Sequence, residues 1–176
     1  IYGNFINRVV VLTNKYYNGV IPKPIDFDKE DLQVLQKVNE SVVLINKLVE
    51  KFKFRESCNE YINIARHGNK YLADQEPWKI FKTDLKRVNN IIFVSLQISS
   101  ILATLGEPFL PFASNKLKKI LNHNNHDIKW EWGKIIADDI LIKPGIRINE
   151  PELLFTKIED SEIEFQLEKL RKSKIS

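Results

Sequence analysis

The sequence predicts an all-α fold: a bundle of five helices with an irregular C-terminal extension that ends in a short helix. Three observations predict it. Apolar residues recur at spacings of 3 and 4 through most of the chain, proline and glycine gather between those runs, and no α/β alternation interrupts them.

Phe5, Val9, Leu12 and Tyr16 mark the first helix, which stops at Asn18-Gly19, a pair that accepts positive φ, ahead of Pro22 and Pro24. The second runs from about Asp28 to Phe52 with Leu32, Leu35, Val38, Val42, Ile45, Val49 and Phe52 on one stripe. Its first turn holds Asp28, Glu30 and Asp31, which suit the positive end of a helix dipole. Helix three carries Phe54, Cys58, Tyr61, Ile62, Ala65 and Leu72 and ends before Pro77. Helix four, from about Asp84 to Leu105, is apolar on several sides and belongs at the centre of the bundle. Gly106-Glu107-Pro108 ends it, and helix five, starting near Pro111, carries Phe112, Leu117, Ile120 and Leu121. From Asn122 to Gly145 the pattern is irregular, and Trp130 and Trp132 are read there as core packing. Glu150 to Phe155 is expected to be extended. Ser161 to Arg171 returns to helix, with Ser161 to Glu164 as a capping box.

A chain of 176 residues fits one domain, and 43% hydrophobic with 28% charged residues argues against disorder. No run approaches the roughly 20 uninterrupted apolar residues that a membrane span requires. A single cysteine, Cys58, forms no internal disulfide; an intracellular, cytoplasmic setting and a buried small hydrophobe are the economical readings. Residues 1–149 carry 22 basic and 16 acidic side chains, whereas 150–176 carry 5 and 7. The organisation expected is therefore a basic body, 1–149, followed by an acidic tail, 150–176. The basic body suits an anionic partner such as RNA. With no methionine, even at position 1, the chain reads as a piece of something longer.

Asn4 and Arg8 lie four residues apart, on one helical face offset from the Phe5/Val9/Leu12 stripe. An amide and a guanidinium fork together match the Watson–Crick edge of an unstacked cytosine, although on spacing alone they are two surface residues. Trp78, stiffened by Pro77 between two helices, is either a platform for a splayed-out base or a plug in the gap between those helices. Arg66, Asn69 and Lys70, within three turns before it, are candidates for RNA-backbone contacts or for orienting the indole. His123 and His126 lack a third ligand at a recognisable spacing, so no metal site is expected. Six glycines and no phosphate loop leave the segment without visible means of binding ATP.

Taken together, these motifs resemble the anticodon-binding part of the methionyl-tRNA synthetases, class I enzymes, over nearly the whole chain. The carriers are Gly3-Asn4-Phe5-Ile6-Asn7-Arg8 with Lys15-Tyr16-Tyr17-Asn18-Gly19, and Ala65-Arg66 with Gly68-Asn69-Lys70-Tyr71, Gln75 and Pro77-Trp78. Gly106 to Phe112 and Leu154-Phe155 with Lys157-Ile158-Glu159 add to them. His67-Gly68 and the terminal Lys172 to Ser176 match no nucleotide-binding signature of those enzymes.

The resemblance implies recognition of the CAU anticodon of methionine tRNA, with Asn4 and Arg8 hydrogen-bonding its first base and Trp78 stacking beneath an anticodon base. It implies that the Rossmann catalytic half, which activates methionine with ATP and Mg, lies upstream, so that this segment alone is inactive. It also implies that the tail returns toward that half. Leucyl, valyl or cysteinyl enzymes, with related helical domains, and a helical protein–protein scaffold are the competing readings. The pairing of Asn4/Arg8 with Pro77-Trp78 disfavours the first. The second predicts weak, sequence-blind RNA binding that modest salt abolishes.

Overall fold

The computed structural model describes residues 1–125, 141–156 and 158–173. Helix α1 (Tyr2–Tyr17) is followed by α2 (Lys29–Glu50), α3 (Phe54–Gln75), the one-turn α4 (Pro77–Ile80), α5 (Leu85–Leu105) and α6 (Pro111–Ile120). A 3-10 turn at His123–Asn125 and α7 (Asp160–Ser173) complete the order. The five helices α1, α2, α3, α5 and α6 are the expected bundle, and a short helix closes the extension as the sequence predicts. Trp130, Trp132 and His126 lie outside the described residues.

Helix α5 is the axis. It is long and apolar enough to cross a membrane, yet 94% of its apolar window is buried inside the bundle. It packs against α1, α2, α3, α4 and α6. Ile91, Ile92, Leu96, Ile98, Ile101 and Leu102 are all enclosed, and each side chain of this size withdrawn from water contributes about 1.5–3 kcal/mol. The longest pairing is α2 against α3, joined by a tight turn at 51–53. Asp28 caps α2 by accepting from the Asp31 amide while the Asp31 carboxylate accepts from the Asp28 amide, a reciprocal box. Asp84 caps α5 by accepting from the Arg87 amide at 2.9 Å.

Several expected core residues are exposed. On α3 the buried face is Ser57, Tyr61, Ile64, Ala65, Gly68, Tyr71 and Leu72, so Cys58 and Phe54 fall on the solvent side. On α6 it is Ala113, Ser114, Leu117 and Ile120, leaving Phe112 89% exposed. On α2 it is Asp31, Val34, Val38, Ser41, Val42 and Ile45, so Leu32 and Phe52 point outward. Leu85, at the first turn of α5, is exposed as well. On α3 and α6 small residues (Ser57, Ala65, Gly68, Ala113, Ser114) share the buried face, so a stripe drawn by counting large residues is rotated off it. Phe52 lies beyond the end of α2, in the turn, at φ 57°, and Leu85 at the first turn of α5. The cap of α7 differs too. Glu162 reaches back to the Glu159 amide at 3.2 Å, and Ser161 lies inside the helix rather than capping it.

At Asn18 and Gly19 the chain turns left-handed, φ 51° and 77°, and ends α1. The exit then meets the returning chain: the Ile21 amide donates to the Ile146 carbonyl at 2.9 Å and the Ile148 amide to Gly19 at 2.8 Å. Beyond this the tail runs antiparallel along α1, from Asn149, whose carbonyl accepts from Asn14 at 3.4 Å, to Phe155, whose ring touches Gly3 and lies edge-on to Tyr2.

Candidate nucleic-acid interface

The exposed face of α1 is a strip carrying Asn4, Arg8, Val11 and Lys15, with Arg8 half-buried and the others open to solvent. The returning tail borders one side. Asn4 stands in a shallow groove with Ile1, Gly3, Asn7 and Leu153 to Phe155. The other border is α4. There the Arg8 guanidinium carbon stands over the Trp78 ring, 5.0 Å from its centroid. The indole is 39% exposed, so part of it is open to solvent.

Local sequence explains why Trp78 sits there. Gln75 ends α3, Glu76 takes the left-handed conformation (φ 41°, ψ 55°), and Pro77, buried, opens α4 with its fixed φ. A glutamate held left-handed costs about 1–3 kcal/mol. Its carbonyl accepts from the Lys79 amide at 2.8 Å, and its carboxylate pairs with the Lys79 ammonium at 2.9 Å. Just beyond α4, Phe81 stacks on Tyr16 of α1, centroids 4.0 Å apart at 14°, and meets Tyr17 edge-on.

The crossing of α1 and α3 sets the rest. Gly68 faces the Phe5 ring so closely that a Cβ there meets Phe5 Cζ at 2.5 Å, a distance real atoms do not tolerate. One residue on, the Asn69 amide donates to the Ile1 carbonyl at 2.9 Å and ties α3 to the entry of α1. Arg66 is exposed and donates to Asn63. Lys70 pairs with Asp74 at 2.8 Å and lines the cleft between α2 and α3 with Glu30 and Lys37. Thus the structure brings Arg8 and Trp78 into contact, keeps Asn4 one turn from Arg8, and assigns Asn69 a tethering contact. Arg66 and Lys70 point to neighbours on their own helix.

Sequence reasoning missed a buried charge centre behind this site. The Asp31 carboxylate is fully enclosed and receives the Arg87 guanidinium through Nη1 at 2.8 and 2.7 Å and the Tyr71 hydroxyl at close range. Arg87 also meets Asp28 at 3.0 Å and donates from Nη2 to Gln75 Oε1 at 2.8 Å. Burial alone lowers the pKa of Arg87, but its hydrogen bond to Asp31 and the surrounding negative charge hold it above the ordinary value. Burial, reinforced by Asp31, raises the Tyr71 phenol. A charge withdrawn from water needs a partner, but Arg87 stands beside exposed Leu85 and Lys86 in the first turn of α5, so its burial carried no local signal.

Chemically the strip offers an amide with donor and acceptor, a planar fork of donors and an accessible π-face. Among the described residues no group of three His, Cys, Asp or Glu converges as a metal site does.

Residues 21–173 match the family model described as the anticodon binding domain of methionyl tRNA ligase. The chain belongs to that family. A methionine–tRNA ligase of Christiangramia forsetii is 51% identical over 176 residues, 99% of this chain and 26% of the relative. One of Bacteroides fragilis is 48% identical over 177 residues, 99% and 25%. The chain thus spans about a quarter of the length of these methionine–tRNA ligases. Among solved structures, the free-state methionyl-tRNA synthetase of Mycobacterium tuberculosis superposes with a TM-score of 0.79 at 20% identity, covering 90% of this chain and 32% of that one. The same enzyme with bound methionyl-adenylate gives 0.78, covering 88% and 30%. At that identity the likeness shows the fold: the all-α anticodon-binding bundle of the class I synthetases.

Proposed function

We propose that this anticodon-binding domain reads the CAU anticodon of methionine tRNA on the α1–α4 strip, for a methionyl-tRNA synthetase that acts in the cytoplasm. The observation that carries the reading is the Arg8 guanidinium against the exposed Trp78 indole, on the face that also presents Asn4. Asn4 and Arg8 hydrogen-bond the edge of the first anticodon base, and Trp78 supplies the stacking surface for an unstacked base. Asn69 supports them by fixing the start of α1, while Arg66 and Lys70 add positive charge nearby.

The chemistry of charging belongs to the catalytic half of the same polypeptide, which activates methionine with ATP and Mg and transfers it to the tRNA. This bundle contributes recognition and no bond-making, so alone it is inactive. Residues 1–149 form the reading body, and the tail, 150–176, returns along α1 toward the catalytic half.

The test is binding of methionine-tRNA anticodon stem-loops that differ only at the first anticodon base. Preference for cytosine, persisting at physiological salt, supports the reading. Equal affinity for all four bases, or binding that vanishes with modest salt, overturns it.

A further inference from the structure

We propose that Arg87 is a positioning residue for base stacking: through Gln75 it sets the orientation in which Trp78 is presented, an inference that rests on the anticodon reading above. The indole has two anchors, one on each side of α4. On the far side Phe81 stacks on Tyr16 and fixes α4 to α1. On the near side the chain leaves α3 at Gln75, whose Oε1 accepts from Arg87 Nη2 at 2.8 Å, and only the left-handed Glu76 and buried Pro77 separate that bond from Trp78.

Arg87 is suited to the task because it cannot turn. Its Nη1 is held by both oxygens of Asp31 and by Asp28, so the guanidinium plane is fixed by the first turn of α2. The free edge, Nη2, then points one donor at the last residue of α3. Three helix ends meet at one planar group, and the direction of that donor fixes where α3 stops. A fork that offers parallel donors in one plane does this, whereas a lysine ammonium, a rotatable point charge, does not. The indole meets the Arg8 guanidinium on α1, and the backbone that carries it is held at the two anchors.

Replacing Arg87 strands the buried Asp31 carboxylate and endangers folding, so Gln75 is the better probe. In Gln75→Leu the acceptor is lost while the Asp31–Arg87 pair stays intact. In Gln75→Glu an acceptor oxygen is kept. The 176-residue chain, labelled with fluorotryptophan, gives a fluorine NMR resonance for Trp78 that is assigned by its disappearance in Trp78→Phe. The expected result is a displaced Trp78 resonance in Gln75→Leu, an affinity for the cytosine-bearing stem-loop about tenfold weaker, as for one misplaced base stack, and a lowered thermal midpoint with the helical circular dichroism retained. Gln75→Glu restores both the resonance and the affinity. An unmoved Trp78 resonance in Gln75→Leu, or a failure of Gln75→Glu to restore it, overturns the proposal. Should the parent chain show no cytosine preference, the anticodon reading falls, and the resonance still decides the positioning role by the same two outcomes.

Discussion

The Arg8 guanidinium covers the Trp78 ring at 5.0 Å, joining the first helix to a turn seventy residues later in the chain. Contacts of this kind at exposed sites contribute about 0.5–1 kcal/mol, enough to hold the two groups as neighbours without locking them. Trp78→Ala is therefore expected to weaken stem-loop binding by about 1–3 kcal/mol, beside some loss of stability because the indole is only 39% exposed. Fluorescence anisotropy of a labelled stem-loop, beside a thermal melt, measures both. Unchanged affinity with the fold intact removes Trp78 from the site.

Arg8→Lys keeps the charge and loses the planar fork. Affinity for the cytosine stem-loop is expected to fall by about 1–3 kcal/mol, since a flexible ammonium neither stacks flat on indole nor offers parallel donors. The same assay with the other three bases checks that the loss is base-specific; an equal loss on all four assigns Arg8 to the backbone instead.

Gly68→Ala places a methyl 2.5 Å from Phe5 Cζ. Overpacking of this sort costs about 1–3 kcal/mol, read as a lower urea midpoint. Adding Phe5→Leu, which removes the obstructing edge of the ring, is expected to recover part of that loss. If the double variant is no more stable than Gly68→Ala, the close approach of α1 and α3 is not what the glycine serves.

Asp31→Ala leaves the partly buried Arg87 without its principal carboxylate and Tyr71 without its acceptor. Breaking such a pair from one side destabilises by about 3–5 kcal/mol, measured by denaturant unfolding. A loss below 1 kcal/mol, about the value of an exposed pair, contradicts the burial of this centre.

Alkaline titration gives a further test. Burial pushes the Tyr2 phenol up to about 12, partly opposed by the neighbouring Tyr61, and burial raises Tyr61 and Tyr71 as well. A pKa raised in the folded state means the native chain holds protons that the unfolded chain releases near the ordinary phenol value. The stabilisation is complete below about pH 10 and is lost as pH rises through the folded values. Tyrosinate absorbance of these residues should therefore rise together with loss of helical circular dichroism. Their ionisation ahead of unfolding contradicts their burial.

The helices and their order were legible from periodicity, and the α5 core from its apolarity on several sides. The Asn18-Gly19 stop and the Asp84 start were equally plain. What was not legible followed from close approach and from pairing. Cys58, Phe54 and Phe112 look like core by their apolarity, but the contact faces carry Ser57, Gly68, Ala113 and Ser114 instead, and at Gly68 even a methyl collides with Phe5. Asp31 was read as a dipole partner of α2, whereas Arg87 draws it fully inside, and a partner fifty-six residues away leaves no trace in local pattern. At the site, motif order singled out Asn4, Arg8 and Trp78, but nothing in spacing could show that Asn69 tethers Ile1 or that Phe81 stacks on Tyr16.

The Phe155 ring lies against Gly3, where a Cβ added to the glycine sits 3.1 Å from the ring. The tail therefore works as a splint on the opening turn of α1. Shortening the chain to end before Leu153 uncovers Tyr2 and strips one wall from the groove around Asn4. On the proposed reading, the smallest unit expected to keep the α1 strip in shape extends through Phe155.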